Sequence, residues 1–398
     1  MRRQSIIVMV TPPLGKPAMR KWQRLSLLMA LLVMAPASAD TYSVTVLHPS
    51  GFEWSMAFGV AGGQQVGWGY GDSTGNDRHA LLWSRTAESY VDLNPTGSIW
   101  SEARGTSGGQ QVGYAYGSNA SANRHAVLWS GTAESYVDLN PAGSISSEAY
   151  GVSGGQQVGY GFGTRTDSDR PGHALMWAGT GDSHADLNPA GFKYSEAWGI
   201  SGAQQVGYGS PASYSEVHAL LWSGTAESCI DLNPNGFYSW AVGVSDGQQV
   251  GWGSGPTTGY DYHALLWSGT AESCDDLNPE GFDYSMAYGV STGRQVGWGR
   301  KTGTLGDYHA LMWSGTAESY LDLHSFLPAG YTQSIADGID SVGNIVGRLQ
   351  TTDGKVYAGL WERQAGAPPD VVPAPGAVLL GSIGLSFSGW LLRRRASH

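Results

Sequence analysis

The sequence predicts an all-β fold, a seven-bladed β-propeller of four-stranded blades closed by its own N-terminal strand, and three observations carry that reading. One unit of about 46 residues recurs, nearly unchanged, along most of the chain. Each unit holds four short apolar segments separated by glycine, serine, asparagine and proline. The copies are also circularly permuted, so that the last is completed by residues near the front of the chain.

The plainest marker is His-Ala-Leu-Leu-Trp, whose tryptophan falls at Trp83, Trp129, Trp177, Trp222, Trp267, Trp313 and Trp361, in steps of 46, 48, 45, 45, 46 and 48 residues. Reading from Ser147, a first strand spells Ser-Glu-Ala-Tyr-Gly-Val and turns at Ser153-Gly154-Gly155. A second spells Gln-Gln-Val-Gly-Tyr-Gly; a variable loop leads to the third, His-Ala-Leu-Met-Trp; a tight Gly-Thr turn leads to a fourth ending in Asp186-Leu187-Asn188-Pro189. Four short antiparallel strands cannot bury their own faces and must pack against a neighbour on each side. The first turn and the third strand each occur seven times, the last third strand as Tyr357-Ala358-Gly359-Leu360-Trp361. The fourth strand occurs six times downstream, the sixth altered to Asp322-Leu323-His324, and segment 41–52 matches the missing copy. A closed ring explains the permutation, because a blade built from both ends leaves no exposed sheet edge at the seam.

The repeats place one domain at 40–365, with a linker at 366–371. Nine of the 22 basic residues lie in the terminal segments, leaving 13 basic and 33 acidic residues in the body, a net charge of −20. Nucleic-acid binding needs a basic footprint, so that partner class is excluded. At the front, basic residues, an apolar run at 25–34 and the exit Ala37-Ser38-Ala39 read as a signal peptide over 1–39, with Met19 an alternative start to Met1. At the back, 372–398 holds a short apolar segment, 377–392, followed by Arg393, Arg394 and Arg395, which the positive-inside rule keeps in the cytoplasm.

Two family resemblances rest on these residues. Val372-Pro373-Ala374-Pro375-Gly376, the apolar run and the arginine cluster resemble the PEP-CTERM sorting signal, with Ala374 in place of the glutamate that names the motif. The His-Ala-Leu-Leu-Trp and Gly-Gln-Gln-Val-Gly units resemble the HAF-type extracellular repeats. The resemblance implies an exported protein, transiently held at the membrane, with an exosortase-type sorting enzyme as partner and Pro373, Pro375, Gly376, Arg393, Arg394 and Arg395 as the signal. It implies no reaction and no cofactor.

Several motifs invite a catalytic reading and fail on context. Gly-x-Ser-x-Gly strings centre on Ser107, Ser153, Ser245 and Ser291, but a nucleophile elbow needs a strand-to-helix turn and is used once. His79, His125, His173, His218, His263 and His309 each precede an aspartate by 13 residues, and such repetition fits a hydrogen bond needed in every blade. Cys229 and Cys274 occupy equivalent positions of adjacent repeats, too far apart to bridge.

Binding is expected where the copies differ. The loops 70–78, 116–124, 162–172, 209–217, 253–262, 299–308 and 348–356 vary and share one face. The same face carries Trp54, Trp100, Tyr194, Tyr238 and Tyr284 just before the innermost strands, suited to sugar rings or a protein partner. Glu102, Glu148 and Glu196 occupy one repeat position and are the candidates for a divalent cation. The expected function is a non-catalytic binding or scaffold module at the cell surface or in the matrix, with exopolysaccharide or a surface protein as partner. The alternative is a polysaccharide-active hydrolase or lyase built on the propeller face.

Overall fold

The computed structural model describes residues 40–117, 123–163, 172–211 and 216–364; the expected signal peptide, linker and sorting tail lie outside them. Seven four-stranded antiparallel sheets form, each from one repeat. In the blade nearest the consensus the strands are Ser146–Ser153, Gln156–Phe162, Gly172–Trp177 and Ala185–Asp186, running from the axis outward. Each innermost strand touches the next around the axis, and Tyr331–Ile339 touches Trp54–Ala61, so the ring is closed.

The seam is built as the permutation requires. Tyr42–Val46 pairs with Val356–Arg363, setting Tyr42 opposite Arg363 and Val46 opposite Gly359, and completes the sheet of Tyr331–Ile339 and Ile345–Thr351. Asp40 closes it electrostatically, 2.8 Å from Arg363 and 3.2 Å from Arg294 of the preceding blade. The other six blades are also four-stranded, as the repeats predict. There the outermost strand is two residues long, as in Val91–Asp92, because Leu93 turns inward and is fully buried.

Two local devices recur. Each innermost strand has a bulge at its middle, between Ala103 and Gly105 in the second blade. A Cβ on Gly113 of the adjoining strand would sit 1.8 Å from the carbonyl oxygen of Glu102, which is why Val-Gly is invariant across the repeats. The second device joins blades. The Ser101 hydroxyl accepts from the Ala80 N–H at 3.0 Å and donates to Asn94 Oδ1 at 2.7 Å, tying a third strand to the innermost strand of the next blade. The same serine latch recurs with Asn140, Asn188, Asn233 and Asn278, and with His324 and His48 standing in for asparagine in the remaining two. Between blades the seven third-strand tryptophans and the leucines of Asp-Leu-Asn-Pro form the fully buried core.

Candidate functional site in the central channel

The two faces of the ring differ in how they are held. On the short-turn face, Gln111 is buried and bridges both turns of its blade, its amide donating to the Gly109 carbonyl at 3.0 Å and its carbonyl accepting from the Gly131 N–H at 2.8 Å. Gln65, Gln157, Gln205, Gln249 and Gln295 repeat the arrangement. That face is therefore rigid and uniform. The Gly-x-Ser-x-Gly serines sit on it in strand-to-strand turns, the innermost strands ending at Ser107, Ser153, Ser245 and Ser291.

Variation is concentrated in the channel. The residue following the bulged alanine is Phe58, Arg104, Tyr150, Trp198, Val242, Tyr288 and Asp337 in successive blades, and all seven line one cavity of about 560 Å³. Met56, Trp68, Arg78, Glu102, Trp252 and Arg348 complete the wall. Repeats that agree almost everywhere else share no side chain across all blades here. Arg104 contacts buried Glu102 at 2.7 Å, donates to the Tyr114 hydroxyl at 3.3 Å and stacks over Phe58 at 4.4 Å. Arg78 also pairs with Glu102 and covers Trp68 at 4.3 Å. Arg348 grips Asp337 with two hydrogen bonds, Nε to Oδ2 at 2.9 Å and Nη2 to Oδ1 at 2.6 Å. Burial works against the Arg104 charge, but Glu102 more than offsets it and holds the guanidinium protonated. Burial also raises the Asp337 carboxyl above its ordinary value, although the guanidinium facing it pulls the other way.

The expected site residues are distributed unequally. Trp54 and Tyr238 are exposed on the rim, 37% and 44%. Trp100 is half-buried against Tyr116, ring centroids 5.1 Å apart. Tyr284 lies under the Arg300 guanidinium at 4.0 Å, and Tyr194 is buried. The five aromatics thus do not form one continuous surface. Glu102, Glu148 and Glu196 do stand beside the channel, each with its own neighbours. Glu148 pairs with Arg124 at 2.5 Å, and Glu196 accepts from the Trp198 indole at 3.0 Å and the Tyr208 hydroxyl at 2.8 Å. Burial, with Glu148 adding to it, raises the Glu196 carboxyl. Among the described residues no three His, Cys, Asp or Glu side chains are grouped to share a metal ion, and these glutamates face arginine, indole and tyrosine partners instead.

The His-to-Asp reading holds in six blades. Nδ1 of His79, His125, His173, His218, His263 and His309 lies 2.7 or 2.8 Å from Asp92, Asp138, Asp186, Asp231, Asp276 and Asp322. Each aspartate also accepts a backbone N–H two residues on, as Asp92 does from Asn94 at 2.8 Å. The serines bonded to His48 and His324 are no nucleophiles either, since Ser55 and Ser334 are buried and already accept backbone N–H groups. Cys229 and Cys274 are free thiols, and burial pushes both up to about 12, leaving them inert at neutral pH.

No family model matches the chain. No curated protein matches it either. Solved structures do resemble it in shape. A puromycin hydrolase superposes with a TM-score of 0.56 at 12% identity, over 83% of this chain and 56% of that one. Acylaminoacyl peptidase from Pyrococcus horikoshii gives 0.51 at 9% identity, over 80% and 53%. The β-propeller domain of the trilobed protease from Pyrococcus furiosus gives 0.53 at 8%, over 79% and 97%. The chain therefore spans little more than half the length of the first two. Identities this low establish the fold, a β-propeller. That archaeal domain is described as having an open velcro topology, whereas here the N-terminal strand pairs with the C-terminal sheet. The likenesses overturn the expected function. The propellers this ring resembles belong to peptidases, so the matrix-associated exopolysaccharide module and its polysaccharide-cleaving alternative are both set aside.

Proposed function

We propose that the protein is a peptide-recognising propeller. An extended peptide enters the channel mouth, its side chains contact the aromatic wall, and the ring itself breaks no bond. The observation that carries this reading is the layer of seven side chains of six kinds around one cavity in a repetitive ring. A scaffold needs the repeats alike throughout; a recognition site needs them unlike where the ligand sits. The cavity offers what a peptide requires, aromatic faces for its side chains and both signs of charge for its polar groups. The peptidase propellers of similar shape support the class of ligand.

Intrinsic tryptophan fluorescence of the purified protein, titrated with a library of N-acetylated tripeptides, tests the reading. Quenching that is lost in Trp198→Ala and retained in Trp54→Ala is the expected result. Equal loss in both variants, or turnover of chromogenic peptide substrates by the ring, would overturn it. Export is a separate proposal, supported by the sequences of 1–39 and 372–398, with an exosortase-type enzyme removing the tail from about Gly376. Mass spectrometry of the exported protein should show both segments missing; a C-terminus ending at His398 would contradict it.

A further inference from the structure

The charge inside the channel is opposite to that of the chain around it. Three guanidiniums, from Arg78, Arg104 and Arg348, face two carboxylates, from Glu102 and Asp337, in one cavity. The body that surrounds them carries a net charge of −20. Resting on the peptide reading and narrowing it, we propose that the channel binds a free peptide C-terminus, its carboxylate held between Arg104 and Arg348 and its terminal aromatic side chain laid against Tyr150 and Trp198.

Each arginine is fixed by its acid partner yet keeps donors outside that pair. Asp337 takes one hydrogen each of Nε and Nη2 of Arg348 and Tyr288 also hydrogen-bonds this guanidinium, so that two of its five N–H donors remain. Nη2 of Arg104 donates to Tyr114 and makes an ion-pair contact with Glu102, which leaves Nη1, while Nε is buried without a hydrogen-bond partner. Stacking over Phe58 sets the plane of the Arg104 fork, so little side-chain entropy is lost on binding. Both guanidiniums line the same cavity, Arg104 weakly disfavours the Arg348 charge, and an anion placed between them relieves that repulsion.

The wall of the next two blades orients the ligand. Tyr150 and Trp198 stack with centroids 4.4 Å apart, and the Trp198 indole is anchored by Glu196. Glu148 and Glu196 stand beside these rings, so a carboxylate is repelled from the aromatic wall and directed to the arginine side. The cavity reaches toward the variable-loop face, where the Arg78 side chain is half-exposed.

Calorimetric titration of the full exported protein with N-acetyl-Ala-Ala-Phe, its C-terminal amide, N-acetyl-Ala-Asp-Ala amide and inorganic phosphate separates the sources of anion. The free acid should bind roughly tenfold or more tightly than its amide, the scale of one or two charge-assisted hydrogen bonds. Arg104→Gln should abolish that preference; Glu102 keeps Arg78 as its partner in this variant, so the melting temperature should stay near wild type. Arg348→Lys, which keeps a charge beside Asp337 but loses the fork, should reduce the preference in the same direction. Equal affinity for acid and amide, equal affinity for the internal aspartate or phosphate, or an unaltered preference in both variants would overturn the carboxylate assignment while leaving peptide binding intact. Binding of none of the peptides would overturn both readings.

Discussion

At the scale of the residue, the serine latch is the unit that makes separate sheets into a ring. Where asparagine serves, as at Asn94, the side chain accepts from Ser101 and donates to the Ser98 carbonyl at 3.2 Å, and no titrating group is involved. Where histidine serves, the ring must stay neutral. At His48, Nε2 faces the Phe52 carbonyl at 3.1 Å and Nδ1 faces Ser55 at 2.9 Å, so Nδ1 is the acceptor. Protonating it leaves the serine hydroxyl without an acceptor. Burial accordingly lowers both His48 and His324, with the His309 charge adding to the effect at His324. A folded-state value below the unfolded 6.5 means stability that is full above about pH 6.5 and is lost progressively as pH falls to the folded value. His173 and His218 act in the opposite sense, because hydrogen bonds donated to Asp186 and Asp231 raise them; their contribution is full below about 6.5 and is lost as pH rises through the folded value. The double variant His48→Asn, His324→Asn should therefore melt higher than wild type at pH 5 and close to wild type at pH 8. Parallel melting curves at the two pH values would contradict this. The histidine–aspartate pair was legible from its fixed spacing, but the serine latch was not, since its partners come from different strands of different blades. The channel layer was missed for another reason. The seven side chains share a repeat position without a common residue type, and nothing in their spacing shows that they meet in one cavity, so the variable loops and rim aromatics stand out in the sequence instead.

The strand-length elements show why the repeat tolerates so little change. Gly67, Gly113, Gly159, Gly207, Gly251, Gly297 and Gly347 all sit beside a bulge carbonyl, and each Cβ would lie 1.8 or 1.9 Å from it. The glycine two positions later is less constrained, and Ala115 occupies it in the second blade. Gly113→Ala must open the bulge that presents Glu102 and Arg104 to the channel. A cost of about 1–3 kcal/mol is expected, the scale of forced overpacking. Calorimetric unfolding checks it, with Ala115→Gly as a mild comparison; no loss in Gly113→Ala would show that the bulge is not imposed by this contact. Four segments per repeat were readable from apolar runs and turn residues. The two-residue length of the outermost strand was not, because Asp-Leu-Asn-Pro reads as strand until Leu93 is seen to leave the sheet for the core.

For the whole molecule, closure and the channel are linked, because the layer that lines the cavity draws one residue from every blade, including the blade joined across the termini. Deleting 40–52 removes the outer strand Tyr42–Val46, the fully buried Leu47, the His48 latch and the Asp40 contacts to Arg294 and Arg363. Against a typical stability of about 5–15 kcal/mol, a loss of several is expected, with a large fall in melting temperature. An unchanged melting temperature would show that the ring does not depend on this seam. Ring and seam were both legible from the permuted repeats. The channel layer was not, since the rim aromatics, suited to sugar rings or a protein partner, drew the reading to the outer face, while the cavity exists only where one side chain from every blade meets.

Recognition in the channel, as opposed to the rim, is decided by a crystal structure of the protein with N-acetyl-Ala-Ala-Phe. The peptide is expected in the cavity bounded by Phe58, Arg104, Tyr150, Trp198 and Arg348; a peptide seated in the outer recess beside Tyr238 and Tyr260, with the channel empty, would refute channel recognition.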